Sequence, residues 1–242
     1  MQPVHDRVAV VTGASSGIGK AITLQLAGPG VFLYLVGRRH ETLEEVAREA
    51  AGAGARCECV IADLKDDPSV QHLAHRVEAD VGRLNVLIHC AGVIALSEMH
   101  NADVGDLDLQ YRTNVRAPYL LTQALLPMLV RAQGQVVFIN SSAGLSARSN
   151  LGQYAATKHA LRAIADSLRS EVNEQGVRVL SVFLGRTATP MQGSVHQLEG
   201  QPYHPERLIQ PEDVASTVIH ALSLPRSVEV TDISLRPMQK PG

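Results

Sequence analysis

The feature that most constrains the fold of this chain is a regular alternation of two kinds of segment. Short runs of consecutive apolar residues, such as 8–12 and 31–36, precede longer stretches rich in good helix formers, such as 41–51. A strand that is apolar throughout, without alternating polar positions, is typical of a parallel sheet covered on both faces. The alternation therefore predicts an α/β fold with a single doubly wound, mostly parallel sheet and helices on both faces.

The alternation continues along the whole chain, which predicts one domain over residues 1–242 that carries its own catalytic site. The predicted strands cover residues 8–12, 31–36, 57–61, 86–89, 135–140, 177–183 and 228–233. The predicted helices cover residues 18–27, 41–51, 68–81, 103–129, 153–174 and 211–224, with a candidate break near Asn114 in the fourth. The stretch 187–210 contains three prolines and two glycines. We predict that it is an irregular, flexible substrate loop.

Composition and charge exclude several classes of protein. The 22 basic and 24 acidic residues give a net charge of −2 without a basic block, which argues against nucleic acid or a membrane surface as the partner. No apolar run approaches the roughly 18 residues of a membrane helix. Residues 1–7 lack the pattern of a signal peptide, and the 3 cysteines fit a reducing compartment. We therefore expect a cytoplasmic protein.

A glycine-rich turn joins the first predicted strand to the first predicted helix. Its sequence is Thr12-Gly13-Ala14-Ser15-Ser16-Gly17-Ile18-Gly19. Glycines at such a turn allow a sharp bend, close approach of the backbone to a pyrophosphate and close packing of the helix on the strand. The start of the helix offers free N–H groups to the phosphates. An ordinary tight turn would also use glycine, but the position between strand and helix favours a Rossmann-type dinucleotide site.

The end of the second predicted strand indicates which dinucleotide is bound. Enzymes that prefer NAD usually place an acidic residue here to bind the ribose 2′-hydroxyl, whereas arginine suits the 2′-phosphate of NADP. In this chain Arg38 and Arg39 follow Gly37, and the first acidic residue is Glu41. A solvated basic turn is the alternative reading. Combined with the glycine turn, the two arginines favour NADP.

An acid–base site is predicted at the start of the longest helix. Tyr154 and Lys158 are four residues apart, so they share one helix face. A nearby ammonium favours the phenolate, so we expect Lys158 to lower the pKa of Tyr154 from its usual value of about 10. Ser141 follows a predicted strand whose carboxyl end faces the ligand crevice of a parallel sheet. Tyr-x-x-x-Lys alone is usually a surface pair, but Ser141 and the glycine turn together make that reading unlikely.

These motifs identify a family, because the chain resembles the short-chain dehydrogenase/reductases over essentially its full length. The resemblance assigns catalytic roles to Ser141, Tyr154, Lys158 and Asn114. It implies that Lys158 binds the nicotinamide ribose and that Asn114 holds a water linking Lys158 to solvent. The cofactor-binding residues predicted from the motifs and the resemblance are Gly13, Ser15, Ser16, Gly17, Ile18, Gly19, Arg38, Arg39, Asp63, Leu64, Ala91, Gly92, Tyr154, Lys158, Gly185, Thr187 and Thr189.

The chain departs from the family pattern after the fourth predicted strand. The usual Asn-Asn-Ala-Gly is His89-Cys90-Ala91-Gly92 here. The Ala-Gly that passes close to the cofactor is kept, but the Asn that usually braces the central sheet is absent. We therefore expect the sheet to be less rigid at this position.

The predicted function is NADP-dependent interconversion of a carbonyl and an alcohol in a small-molecule substrate. In the reductive direction NADPH delivers hydride to the carbonyl carbon, Tyr154 donates a proton to the oxygen and Ser141 holds that oxygen by a hydrogen bond. One alternative is a non-catalytic NADP-binding redox sensor, which would have no need of a proton relay. Another is a methyltransferase on a similar sheet, which would not need Tyr-x-x-x-Lys.

Two further expectations concern metal binding and assembly. We expect no metal, since His72 and His75 have no third ligand nearby in sequence. The two long helices carry more apolar surface than one face against the sheet needs. Together with the resemblance, this predicts a homodimer or homotetramer with two-fold symmetry.

Overall fold

The computed structural model describes residues 7–239, which form one sheet flanked by helices. The strands are β1 (Arg7–Thr12), β2 (Val31–Gly37), β3 (Arg56–Ile61), β4 (Val86–His89), β5 (Gln135–Ser141), β6 (Arg178–Leu184) and β7 (Asp232–Leu235). The helices are α1 (Gly17–Leu26), α2 (His40–Gly52), α3 (Asp67–Asp80), α4 (Val104–Tyr111), α5 (Ala117–Ala132), α6 (Gly152–Val172), α7 (Pro190–Leu198) and α8 (Pro211–Ser223). A π-helical turn, Arg112–Arg116, joins α4 to α5.

The strand order β3-β2-β1-β4-β5-β6-β7 and the pairing of every neighbour in parallel confirm the predicted doubly wound sheet. The chain builds outward from β1 through β2 to β3, and then returns to add β4 on the other side of β1. Loops that leave β1 and β4 therefore diverge at the carboxyl end of the sheet. A crevice opens where they part, and ligands of open α/β sheets bind in such crevices.

Both faces of the sheet are buried, as the wholly apolar strands predict. Along β1, Val8 and Val10 belong to the core packed by α3, α5 and α6. The alternate residues Ala9 and Val11 belong to the core packed by α1, α2 and α8. Successive side chains of a strand point to opposite faces, so one continuous apolar run serves both layers. None of the helices in residues 7–239 is long and apolar enough to span a bilayer. The predicted lack of a signal peptide concerns residues 1–7, of which 1–6 lie outside the described residues.

The prediction of an irregular stretch over 187–210 is wrong for residues 190–198, which form α7. Pro190 occupies the first turn, where its missing N–H costs nothing. The Thr189 hydroxyl caps the helix by accepting from the Gln192 amide at 3.2 Å. Arg186, just after β6, forms an ion pair of 2.7 Å with Glu199 at the other end of the helix. The prolines and glycines of this stretch are typical of a loop, but residues 190–198 form a short helix. Thr189 holds its first turn, and Arg186 holds its carboxyl end through Glu199.

The last strand begins four residues later than the predicted 228–233. The segment before it runs beside β6, but the Glu229 carboxylate accepts from the Val179 amide at 3.0 Å. The Glu229 side chain thus accepts a hydrogen bond that a backbone carbonyl would accept in a regular strand pair. Regular pairing with β6 starts at Ser181 and Asp232.

His89, at the end of β4, is enclosed in the core, with 3% of its surface exposed. Its Nε2 lies 2.8 Å from the Thr122 hydroxyl of α5, and its ring stacks on Phe138 with centroids 5.0 Å apart. The next turn is braced by Thr12, whose hydroxyl accepts from the amides of Cys90 and Ala91 at 3.1 and 3.2 Å. His89 and Thr12 thus supply side-chain hydrogen bonds to this part of the sheet, where the Asn of the family pattern is absent.

Burial of His89 makes stability depend on pH. Burial lowers the pKa of His89 to about 3, whereas the unfolded chain has the ordinary value of 6.5. Between these values the unfolded state binds one proton more, so stability falls as the pH falls. We expect the free energy of unfolding of the wild type, relative to His89→Asn, to drop by about 1.4 kcal/mol per pH unit below pH 6. Urea denaturation from pH 7 to 4 measures this slope, with the exposed His72→Asn as control. Parallel profiles for wild type and His89→Asn would contradict it.

Candidate functional site

A cleft of about 1270 Å³ runs along the carboxyl ends of the strands. The glycine turn after β1 and the two arginines after β2 line one end. The loop after β4, the start of α6 and the segment from β6 to α7 line the other. The cleft is thus long enough to hold an extended molecule that reaches from β2 to α6.

The glycine turn has a backbone that other residues would not adopt. Gly13 and Gly17 have φ values of +69° and +52°, in the left-handed region. A Cβ on Gly13 would lie 2.9 Å from the Ala91 Cα, and a Cβ on Gly19 would lie 2.2 Å from the Gly13 oxygen. Ser16, which precedes α1, makes no side-chain capping bond to the helix. The first amides of α1 are therefore free to bind an anion such as a phosphate.

The ends of β2 and β3 form the far end of the cleft. Arg38 and Arg39 are exposed there. Asp63 and Leu64 follow β3 on the same side, and the Asp63 carboxylate lies 3.3 Å from the Lys65 ammonium. The arginines and Lys65 outnumber the one acid, so this end carries a positive charge.

The segment after β6 faces the glycine turn from the opposite wall. A Cβ on Gly17 would lie 3.0 Å from the Thr189 methyl, so the two walls approach closely here. The Thr187 hydroxyl donates to the Gly185 carbonyl at 3.1 Å. Gly185, Thr187 and Thr189 all line the cleft.

Ser141, Tyr154 and Lys158 come together at the end of β5. The Ser141 hydroxyl neighbours the Tyr154 phenol and lowers its pKa. Ser141 is oriented by the Ala143 amide, which donates to its oxygen at 3.1 Å. The Lys158 ammonium donates to the Ile139 carbonyl at 3.1 Å and lies 5.8 Å from the centre of the Tyr154 ring. The three predicted side chains therefore form one cluster on the wall of the cleft.

The expectation that Lys158 lowers the pKa of Tyr154 is wrong in this structure. Burial raises the pKa of Tyr154 to about 12, and the neighbouring Ser141 hydroxyl only partly opposes that rise. Burial also lowers the pKa of Lys158 to about 8, against a smaller opposite effect of Cys90. Loss of hydration disfavours the charged form of each group, and neither group contributes to the pKa shift of the other. Tyr154 is consequently a neutral phenol at neutral pH.

Asn114 lies behind the cleft wall, fully buried in the π-helical turn between α4 and α5. Its Oδ1 accepts from the Val93 amide at 2.9 Å, and its Nδ2 donates to the Val93 carbonyl at 2.9 Å and to Thr157 at 3.1 Å. A Cβ on Gly92 would lie 3.3 Å from the Asn114 Oδ1 and 3.9 Å from the Lys158 ammonium. A side chain on Gly92 would therefore crowd the Asn114 amide, and both Asn114 and Lys158 lie close to this glycine.

A family model for the short chain dehydrogenases matches residues 7–200. The chain belongs to this family. It is 33% identical over 244 residues to the glycine betaine reductase ATRR of Emericella nidulans, a match that covers 99% of this chain and 19% of that protein. The chain therefore spans about a fifth of that relative's length. An uncharacterized oxidoreductase of Staphylococcus saprophyticus is 32% identical over 240 residues, which cover 98% of this chain and 100% of that protein.

The fold of this short-chain dehydrogenase is shared by a solved structure with a bound nucleotide. A metagenomic short-chain oxidoreductase in complex with NADP superposes with a TM-score of 0.84 at 31% identity, covering 98% of this chain and 99% of the other.

The cleft brings together most of the residues that the sequence predicted, with two exceptions. Gly19 is buried beneath the glycine turn, where it lets α1 pack on β1, and Asn114 lies behind the wall. Three polar residues without a predicted role also shape the site: Thr12, Asn140 and Gln110. The Asn140 Oδ1 accepts from the Ser141 amide at 2.8 Å, and its Nδ2 donates to the Lys158 carbonyl at 3.2 Å. Its place at the end of an apolar strand was the signal that could have revealed it.

Proposed function

We propose that this short-chain dehydrogenase is an NADP-dependent oxidoreductase that interconverts a carbonyl and an alcohol in a small-molecule substrate, with Tyr154 as the acid/base. The observation that carries the proposal is the grouping of Tyr154, Ser141 and the buried Lys158 on the wall of a cleft that begins at a glycine turn. When bound, NADP(H) supplies or accepts the hydride. We propose that the protein does this work in the cytoplasm.

The residues of the cleft suit such a cofactor. The free amides of α1 would bind the pyrophosphate. Arg38 and Arg39, at the other end of the turn, would bind a 2′-phosphate, for which the planar guanidinium fork is well shaped. Gly185, Thr187 and Thr189 would hold the nicotinamide side, and Lys158 the adjoining ribose. Support for this assignment comes from the relative with bound NADP.

The protonation states favour reduction at neutral pH. Because burial raises the pKa of Tyr154 to about 12, the phenol carries the proton that a carbonyl oxygen must receive. Ser141 would donate a second hydrogen bond to that oxygen and hold it near the phenol. Oxidation of an alcohol would instead need the phenolate, which the buried position disfavours.

Replacement of the proton would pass through Lys158. Asn114 would hold a water that links Lys158 to solvent, and the approach of both side chains to Gly92 supports this role. Burial lowers the pKa of Lys158 to about 8, so this group can release a proton and recover it near neutral pH.

The alternative is a non-catalytic NADP-binding regulator that senses redox state through the same cleft. Such a protein would need the glycine turn and the arginines, but it would not need a hydroxyl fixed against a phenol or an amide behind the lysine. Consumption of NADPH over a panel of 3-oxo acids, semialdehydes, cyclic ketones and quinones separates the two functions.

Tyr154→Phe keeps the packing of the ring and removes the proton donor. General acid–base catalysis contributes about 10²- to 10⁴-fold, so we expect turnover to fall by that factor while the dissociation constant of NADPH stays unchanged. Steady-state kinetics and a fluorescence titration with NADPH measure the two effects. The exposed Tyr111→Phe on α4 is the matched control. Turnover of Tyr154→Phe near the wild-type value would overturn the mechanism.

Arg38→Gln removes the guanidinium that is proposed to bind the 2′-phosphate. A charge-assisted contact contributes about 1.5 to 3 kcal/mol, which corresponds to roughly a 10- to 100-fold loss in kcat/KM for NADPH. The kcat/KM for NADH should hardly change, since NADH lacks the phosphate. Arg39→Gln tests the second arginine, and Arg48→Gln on the outer surface of α2 is the control. A wild-type preference for NADH, or an unchanged ratio in Arg38→Gln, would show that this arginine does not bind the phosphate.

We also propose a homodimer or homotetramer. Apolar side chains remain on the outward faces of α5 and α6: Tyr119 is 50% exposed, and Ala156 and Ala163 are exposed as well. Packing of such faces between copies would remove them from water. Light scattering at micromolar concentration should give two or four times the monomer mass of 26.0 kDa. A monomer mass would contradict the proposal.

A further inference from the structure

Gln110, near the end of α4, is a polar side chain with 1% of its surface exposed. Its Oε1 accepts from the Ala95 amide at 3.1 Å. Its Nε2 donates to the Asp106 carbonyl at 3.2 Å and to the Gln153 Oε1 at 3.1 Å. Burying an amide costs free energy unless its donors and acceptor find partners. Here each of them does, so the orientation of the side chain is determined by its surroundings.

The Ala95 amide belongs to the stretch 93–97 after β4, which we call the wall segment. Four of its residues line the cleft: Val93, Ile94, Leu96 and Ser97. Ala95 does not line it, because its backbone faces α4. Gln110 and Asn114 are one helical turn apart and bind Ala95 and Val93, two residues apart. One edge of the wall segment is thus held by successive turns of a helix, while the side chains between face the cleft.

The Nε2 group of Gln110 binds the helix that carries Tyr154. Gln153, which immediately precedes Tyr154 in α6, accepts from the Gln110 amide and donates its own Nε2 to the Asp103 carbonyl at 2.8 Å. A direct backbone bond also joins the wall segment to the loop before α6, from the Ser97 amide to the Asn150 carbonyl at 3.0 Å, and Asn114 joins Val93 to Thr157 of α6. A chain of two glutamine side chains therefore links the wall segment, the start of α4 and the start of α6.

We propose that Gln110 is a positioning residue that fixes the wall segment of the substrate cleft relative to Tyr154. It touches neither the cleft nor the reacting groups, so it acts through the backbone of Ala95 and through Gln153. With Gln110 in place, a substrate meets a wall already in position beside the phenol. Without it, the wall segment samples other positions, and substrate binding has to order it again. This effect on catalysis rests on the proposed function, but the fixing of the wall segment does not.

The test compares two substitutions at Gln110 with one at Gln153. Gln110→Met keeps the length of the side chain and removes its three hydrogen bonds. Gln110→Glu keeps an acceptor for Ala95 and removes the donor to Asp106 and Gln153, so it separates the two bonds, although its buried carboxyl group lowers stability. Of the three hydrogen bonds of Gln110, Gln153→Met, at a half-buried position, removes only the one to α6, and it is the milder variant if Gln110→Met folds poorly. Gln123→Met, on the exposed side of α5, is the matched control. Thermal unfolding verifies that each variant is folded.

Hydrogen–deuterium exchange of the full chain measures the fixing directly. We expect peptides that cover residues 93–97 to exchange about tenfold faster in Gln110→Met, because one hydrogen bond of ordinary strength is lost at Ala95. Gln110→Glu should accelerate exchange at residues 103–106 more than at Ala95. Gln123→Met should match the wild type. Unchanged exchange over 93–97 in Gln110→Met would overturn the proposal.

Kinetics with a carbonyl substrate measure the consequence. We expect Gln110→Met to raise the KM for that substrate about tenfold, with a smaller fall in kcat and no change in the KM for NADPH. Faster exchange with unaltered KM and kcat would overturn the positioning role, while the proposed function would stand. If the wild type reduces no carbonyl compound, the proposed function fails, and the exchange experiment still decides whether Gln110 fixes the wall segment.

Discussion

The close approach of two strand ends is the constraint on which the rest of the structure depends. Gly13 after β1 and Ala91 after β4 leave no room for a Cβ between them. Thr12 fixes the same junction, since its hydroxyl accepts two amides from the β4 turn and donates to the Ile88 carbonyl at 3.3 Å. The glycine turn and Gly92 therefore meet at one edge of the cleft. From there the cleft extends to the arginines on one side and to Tyr154 on the other.

Polar residues at the ends of buried strands hold the backbone segments of the site in place through hydrogen bonds. Thr12 ends β1, and Asn140, next to last in β5, joins the Ser141 amide to the Lys158 carbonyl. His89 ends β4 and binds Thr122 inside the core. Each of these side chains forms hydrogen bonds with backbone or hydroxyl groups of a neighbouring turn or helix. The same enclosure removes water from Tyr154 and Lys158, which is why both favour their uncharged forms more than they would at the surface.

Much of the fold could be predicted because a strand buried on two faces appears in the sequence as a run of consecutive apolar residues. β4 was predicted at its observed bounds, and the break at Asn114 coincides with the π-helical turn. The predictions that failed depend on contacts between distant residues. α7 is fixed by Arg186 and its ion pair with Glu199, and the start of β7 is delayed by Glu229. Neither contact follows from local composition, since the partners lie in separate segments.

The sequence by itself determined the α/β architecture, the glycine turn, the charge at the end of β2 and the grouping of Ser141, Tyr154 and Lys158. These follow from periodicity and from the rule that parallel strands present their carboxyl ends on one edge. Only the tertiary structure decided the protonation of Tyr154 and the roles of Thr12, Asn140 and Gln110. The reason is physical: desolvation and hydrogen-bond partners depend on which distant segments enclose a group, and a local pattern does not contain that information.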